Sequence, residues 1–482
     1  MLFNSFKFLI FFPIVTCIYF LIKKDNIKLI WLLICSYFFY MCWNPIFALL
    51  MLFSTFVTYI FSLLMEKYKK HKKLFLILSL IINLLILFCF KYLTFIIENI
   101  NNIFKFFNIS GIKTFDILLP VGISFYTFQA LSYSFDVYRN DVKVEKNFIK
   151  YALFVSFFPQ LVAGPIEKSK IFLSQFNLKH KFDYNKVKNG ILIMLGGFIL
   201  KLVIADRAAI AVNQVYNNLS LYTGLSLILA TVLFAFQIYC DFYAYSLIAK
   251  GSAQVLGYNL SQNFNKPYLS TSIKDFWRRW HISLSTWFKE YLYVPLGGSK
   301  VSKLKTIRNI LIVFCVSGLW HGAAWTFLIW GLLHGLYQVI GMLIKNIRNK
   351  ISNILLLEKH PLIHKIFQII ICFILVDFAW IFFRANTLYD AFYVIKNIFD
   401  FSEGLKLANF GLSRANLVLL FFSIVCLMIY EIFNHKFDII KFINKRNIIV
   451  RWILYFIIIY IILIFGIYGP GYDASQFIYF QF

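Results

Sequence analysis

Long uncharged runs separated by short basic clusters set the pattern of this chain. Residues 8–22 carry no charge, and residues 29–65 carry none over a length sufficient for two membrane-crossing helices. A helix needs ~20 apolar residues to cross the hydrocarbon. Asn44-Pro45 is the natural hinge in the longer run, because proline disfavours helix at the residue before it. Further apolar stretches lie at 74–90, at 117–135 opening at Pro120, at 148–164 closing at Gly164-Pro165, and at 189–205 and 223–240. The run 309–344 again suffices for two helices, hinged at His321-Gly322, and 366–383, 415–430 and 452–470 complete the set. Allowing for the weaker segments, the pattern predicts about eleven spans. All should be helical, since an open sheet edge cannot be satisfied in lipid. The predicted class is therefore all-α, a polytopic membrane protein.

The segment 266–300 breaks this pattern. Lys274, Arg278, His281, Ser285 and Lys289 recur at steps of three or four, while Ile273, Trp277, Trp280, Leu284, Trp287 and Tyr291 take the other positions. That spacing predicts one amphipathic helix, lying in the interface or dipping into a cavity.

Composition agrees with the pattern. Of 482 residues, 61% are hydrophobic and only 14% charged, against roughly a quarter charged in soluble domains. A soluble enzyme, a disordered chain and a secreted disulfide scaffold are excluded. The excess of 48 Lys+Arg over 21 Asp+Glu would suggest nucleic acid on a soluble protein. Here the bases gather in short loops, as at Lys67, Lys69, Lys70, Lys72 and Lys73. Cytoplasmic loops carry such an excess, and anionic lipid head groups attract it. Membrane lipids are the expected partner, and no nucleic acid is. The loop around Asn44 is uncharged, so alternate loops place the N-terminus on the extracytoplasmic side. The stretch after Lys7 runs on at span length with no small-residue cleavage site, so it reads as the first helix rather than a signal peptide. The eight cysteines are scattered singly, without CxxC or metal-ligand spacing, and no metal site is expected.

Ionisable groups at membrane depth are costly and mark candidate function. They are Asp136, Asp241, His281, His321, His334 and Asp377. His321 stands in Ser317-Gly318-Leu319-Trp320-His321-Gly322-Ala323-Ala324-Trp325. Small residues let helices or an acyl ligand approach closely, and Trp320 and Trp325 can wall a thioester tunnel. Imidazole is suited to take a proton from a hydroxyl near neutral pH. Spacing alone favours the other reading, a histidine hydrogen-bonded to a neighbouring helix, because buried polar residues are normally satisfied structurally. His334 reads as structural. His281 follows Arg278 and Arg279, a basic group suited to lipid phosphates or to the phosphates of a nucleotide-bearing acyl donor. Asp241 could orient a basic partner or a histidine, or simply mark the interface. Asp136 with Arg139, and Asp377 with Arg384, read as structural locks.

Several stretches together resemble the membrane-bound O-acyltransferase family, in particular its alginate O-acetyltransferase-like branch. They are Leu119–Gln129, Phe157–Ile166, Asp275–Gly298, Gly318–Gly335, Phe382–Ala385 and the ending Phe477–Phe482. The resemblance implies a single membrane-embedded domain over 1–482, with a helical core at 117–385 and peripheral spans at 1–110 and 415–482. It implies a ring of tilted helices with interfacial or re-entrant segments around a central funnel, where a cytoplasmic thioester meets an acceptor from the far side. It makes His321 the catalytic residue and His281 the second site residue, with Trp320, Trp325, Arg278, Arg279 and Asp241 as substrate-binding candidates. The implied donor is acetyl-CoA or another acyl thioester, with no covalently bound cofactor. The implied partners are an extracytoplasmic SGNH-type acetyltransferase or esterase and a polysaccharide acceptor, at a bacterial inner (cytoplasmic) membrane. D-alanyl transfer to teichoic acid is the alternative within the family, and a transporter or flippase is the alternative outside it.

Overall fold

A computed structural model describes residues 1–469 apart from 116, 163, 356, 403, 405–409 and 434–437. The ending Phe477–Phe482, and Ala163 within Phe157–Ile166, lie outside the described residues. Among those described, every regular element is a helix. Eight helices are long and apolar enough to cross a membrane, from Pro45–Lys67 to Ile448–Phe465. Together they make the chain an all-α, multi-pass membrane protein.

The difference from about eleven expected spans has local causes. The run 29–65 splits where expected: Asn44 caps Pro45–Lys67 by accepting the amide of Ile46, and Asp25–Met41 precedes it as a separate 17-residue helix. Phe6–Leu21 is also short of span length by the same measure. The stretch 148–164 is not one helix but two, Phe148–Ser156 and Phe158–Leu161, broken at Phe157 with Pro159 just beyond. Elsewhere helices run longer than their apolar cores, as in Lys69–Phe106, Tyr184–Tyr216 and Gly224–Val255. The first two of these contain a π-helical turn, at Phe88–Tyr92 and Ile199–Ala205. Such a turn absorbs an extra residue without ending the helix.

The chain divides into two compact units. The first comprises Met1–Met194 and Tyr245–Ser261. Its centre is the helix Ile123–Arg139, buried along nearly its whole length although it carries Ser124, Thr127, Gln129, Ser132 and Ser134. Gly122 starts that helix with a φ of 74°, and a Cβ there would sit 2.9 Å from the carbonyl oxygen of Leu161. The Gln129 side-chain oxygen accepts the amide of Glu167 at 2.8 Å. Two of the sequence stretches that carry the resemblance therefore pack on each other. Asp136, buried on this helix, accepts the Ser169 hydroxyl at 2.5 Å.

The second unit comprises Leu195–Ala244 and Gln262–Phe482 and holds both site histidines. Lys303–His321 and Trp325–Leu343 form its hairpin, turning at Gly322 as the sequence predicts. Their backbones touch where glycines oppose. A Cβ on Gly318 would collide with the Phe327 carbonyl oxygen, and one on Gly331 would collide with that of Phe314.

Candidate active site

Both imidazoles sit at chain breaks. His321 is the last residue of Lys303–His321, so its side chain leaves the helix end where the hairpin turns. His281 lies between two short helices, Ile273–Arg279 and Ile282–Phe288, with φ 42° and ψ 55°. The single amphipathic helix expected over 266–300 is therefore not formed. Its continuous basic face ends at Trp280, and His281 turns inward to complete burial. The neighbouring loop fixes the break: Asn265 donates its amide to the Arg279 carbonyl and Ile282 donates its amide to the Asn263 carbonyl, both at 2.9 Å. A left-handed conformation costs a residue with a Cβ ~1–2 kcal/mol, and strain of this kind concentrates at functional sites.

The breaks bring the two rings together. The His281 and His321 ring centroids are 6.5 Å apart. Trp320 touches both, at 6.0 Å from His281 and 4.9 Å from His321. Trp330 and Phe383 complete the wall around His321, at 5.0 and 5.4 Å. The Phe242 ring packs edge-on against His281 at 4.6 Å. Burial pushes the His281 imidazole down to about 3, because a charged ring is penalised where water is excluded. At neutral pH it is an uncharged donor and acceptor.

The model of the membrane-bound O-acyltransferase family matches residues 19–377, which include both histidines. The chain belongs to the membrane-bound O-acyltransferase family. It is similar to a probable alginate O-acetylase of Pseudomonas aeruginosa, with 35% identity over 90% of this chain and 82% of the relative. It is 35% identical to a peptidoglycan O-acetyltransferase of Helicobacter pylori over 83% of this chain and 80% of that protein. A teichoic acid D-alanyltransferase of Bacillus subtilis is 30% identical over 44% of this chain and 56% of its own.

The other residues singled out in this acyltransferase fall in different places. Arg278 is exposed, and Arg279 is half-buried with its Nε 3.0 Å from Asp275. Trp325, at the first turn of its helix, is 49% exposed, unlike Trp320 at 3%. Asp241 is buried and lies 2.6 Å from the Lys201 ammonium. His334 is separated from His321 by Trp330, and its Nδ1 accepts the Trp277 indole N–H at 3.3 Å. That is the interhelical bond a structural histidine requires. The expected Asp377–Arg384 lock is absent among the described residues. Arg384 donates instead to the amide oxygens of Asn213 and Asn217, at 2.9 and 3.3 Å. No three of His, Cys, Asp and Glu gather as a metal site among the described residues.

Sequence reasoning missed Lys201, Asp206 and Glu431. Lys201 is fully buried and lies 2.9 Å from Asp206. Its signal was available, a lone charge inside the apolar run 189–205. Glu431 is buried and accepts the Tyr239 hydroxyl. It sits near the end of an apolar helix, where an acid passes for the edge of a span.

Proposed function

We propose that this chain transfers an acetyl group from a cytoplasmic thioester, acetyl-CoA, toward a hydroxyl acceptor for O-acetylation of an extracytoplasmic polysaccharide. His321 acts as the general base. It takes the hydroxyl proton while the oxygen attacks the thioester carbonyl; the C–S bond then breaks, and the proton passes to the departing thiolate. Neutral His281 offers an N–H to the oxyanion or orients the thioester. Trp320 and Trp325 line the acyl path, and Arg278 and Arg279 meet the donor's phosphates. Asp241 serves the substrate side through its helix. The chain lies in the bacterial inner membrane with its N-terminus outside, and an SGNH-type acetyltransferase partner completes delivery to the glycan.

The observation that carries this reading is the meeting of two buried imidazoles from separate breaks inside one aromatic enclosure, 6.5 Å apart. Relatives named for O-acetylation match 83–90% of the chain, against 44% for the D-alanyl relative. That contrast supports an acetyl donor over D-alanyl transfer to teichoic acid. The test is His321→Ala in cells, with O-acetyl content of the envelope glycan measured at matched membrane levels of the protein. Loss of acetyl groups is expected, and unchanged acetylation would refute the assignment. A labelled-donor competition between acetyl-CoA and a D-alanyl carrier protein separates the two chemistries.

A further inference from the structure

A fully buried lysine lies between two buried aspartates beside the wall of the histidine pair. Lys201 is 2.9 Å from Asp206 and 2.6 Å from Asp241, with all three side chains almost wholly removed from solvent. Buried ion pairs are weak evidence for stability, since apolar residues of similar volume often serve as well. Such a triad is better explained by what it holds in register.

The π-helical turn Ile199–Ala205 makes the clamp possible. Residues five apart on an α-helix point about 140° away from each other, whereas the wider turn brings Lys201 and Asp206 to one side. The Asp206 amide donates to the Lys201 carbonyl across that turn. Asp241 belongs to the helix Gly224–Val255, and its neighbours in that helix form the wall of the site. Phe242 is 4.6 Å from the His281 ring, and Tyr239 is 6.1 Å from that of Trp280. The half-turn gripped by Lys201 is thus the surface against which the strained Trp280–His281 break rests.

We propose that Lys201 is a positioning residue for acyl transfer, clamping Asp206 and Asp241 so that Phe242 holds His281 toward His321. This rests on the reading that the two histidines form the reaction site. The clamp acts on geometry at the reacting centre, where a displacement of about 1 Å costs up to ~10²-fold in rate.

The test uses the whole chain in lipid nanodiscs with a hydroxyl-bearing oligosaccharide as acceptor, thiol release from acetyl-CoA as the assay and thermal melting alongside. Lys201→Met should lower kcat by about tenfold or more while KM for acetyl-CoA stays within about twofold. The triple variant Lys201→Met, Asp206→Leu, Asp241→Leu removes the buried charges together. It should melt near the wild-type temperature yet keep the low kcat. Phe242→Leu, which disturbs no charge, should reproduce the kcat loss at unchanged KM, and it carries the test if the charge variants fail to reach the membrane. Wild-type kcat in the triple variant, or in Phe242→Leu, would overturn the proposal. His321→Ala assayed in parallel separates the two ideas. An inactive His321→Ala beside a fully active triple variant rejects the clamp alone, whereas an active His321→Ala rejects the site assignment beneath it.

Discussion

His281 combines complete burial with a φ of 42°, so its backbone and its ring make separate demands that substitution can part. Glycine relieves the left-handed strain and alanine does not. His281→Gly should therefore unfold above His281→Ala by ~1 kcal/mol, read from thermal melts in detergent, while both lose transfer activity. Equal melting of the two would mean that the break is not strained. The residue's chemistry was legible from Trp280-His281 and the family resemblance; its conformation was not. The helical spacing of Lys274, Arg278, His281 and Ser285 takes regular φ and ψ for granted, and the hydrogen bonds from Asn265 and Ile282 that impose the break are tertiary. Lys201 escaped for a different reason: an average over an apolar run submerges one charge.

At the scale of elements, the hairpin Lys303–His321 and Trp325–Leu343 depends on its opposed glycines. Gly331→Ala would drive a methyl group against the Phe314 carbonyl, at a cost of ~1–3 kcal/mol for overpacking. It should also shift Trp330 off His321, so melting temperature and activity fall together. Gly196→Ala is the control, because nothing lies within 4 Å of the place its methyl group would take, and alanine there should be neutral or stabilising by up to ~1 kcal/mol.

Glu167 gives a pH test in the first unit. Burial lifts its carboxyl from 4.5 to about 7, against hydrogen bonds from the Ser261 amide and hydroxyl at 2.6 and 2.8 Å. With the folded value above the unfolded one, the folded state holds the proton more tightly. Its contribution is full below pH 4.5 and is lost as pH rises to about 7. Melting temperature should fall across that window, and Glu167→Gln should flatten the slope. An unchanged slope would count against a buried, protonated Glu167. Hinges were the most readable elements, since Asn44-Pro45 and His321-Gly322 are set by local chemistry. The break at Phe157 and the π-helical turns were hidden because apolar content alone does not report backbone geometry.

For the whole molecule, the alternation of charged and uncharged loops supplies an orientation that labelling can check. Cys42 lies exposed in the uncharged loop before Asn44. Kept as the sole cysteine, it should react with a membrane-impermeant maleimide in intact cells. Lys70→Cys in a chain otherwise free of cysteine should react only after lysis, and the reverse pattern would invert the orientation. Class and membrane character were plain from the uncharged runs. The meeting of His281 with His321 was not, because about forty residues and two helix breaks separate them and only the folded chain closes that distance.

The most direct measurement is transfer of labelled acetyl from acetyl-CoA to a hydroxyl-bearing oligosaccharide by the purified chain in lipid vesicles, comparing wild type with His321→Ala. A general base contributes ~10²–10⁴-fold, so the variant should lose at least ~10²-fold in rate while still binding the donor. A rate within about twofold of wild type would contradict the account.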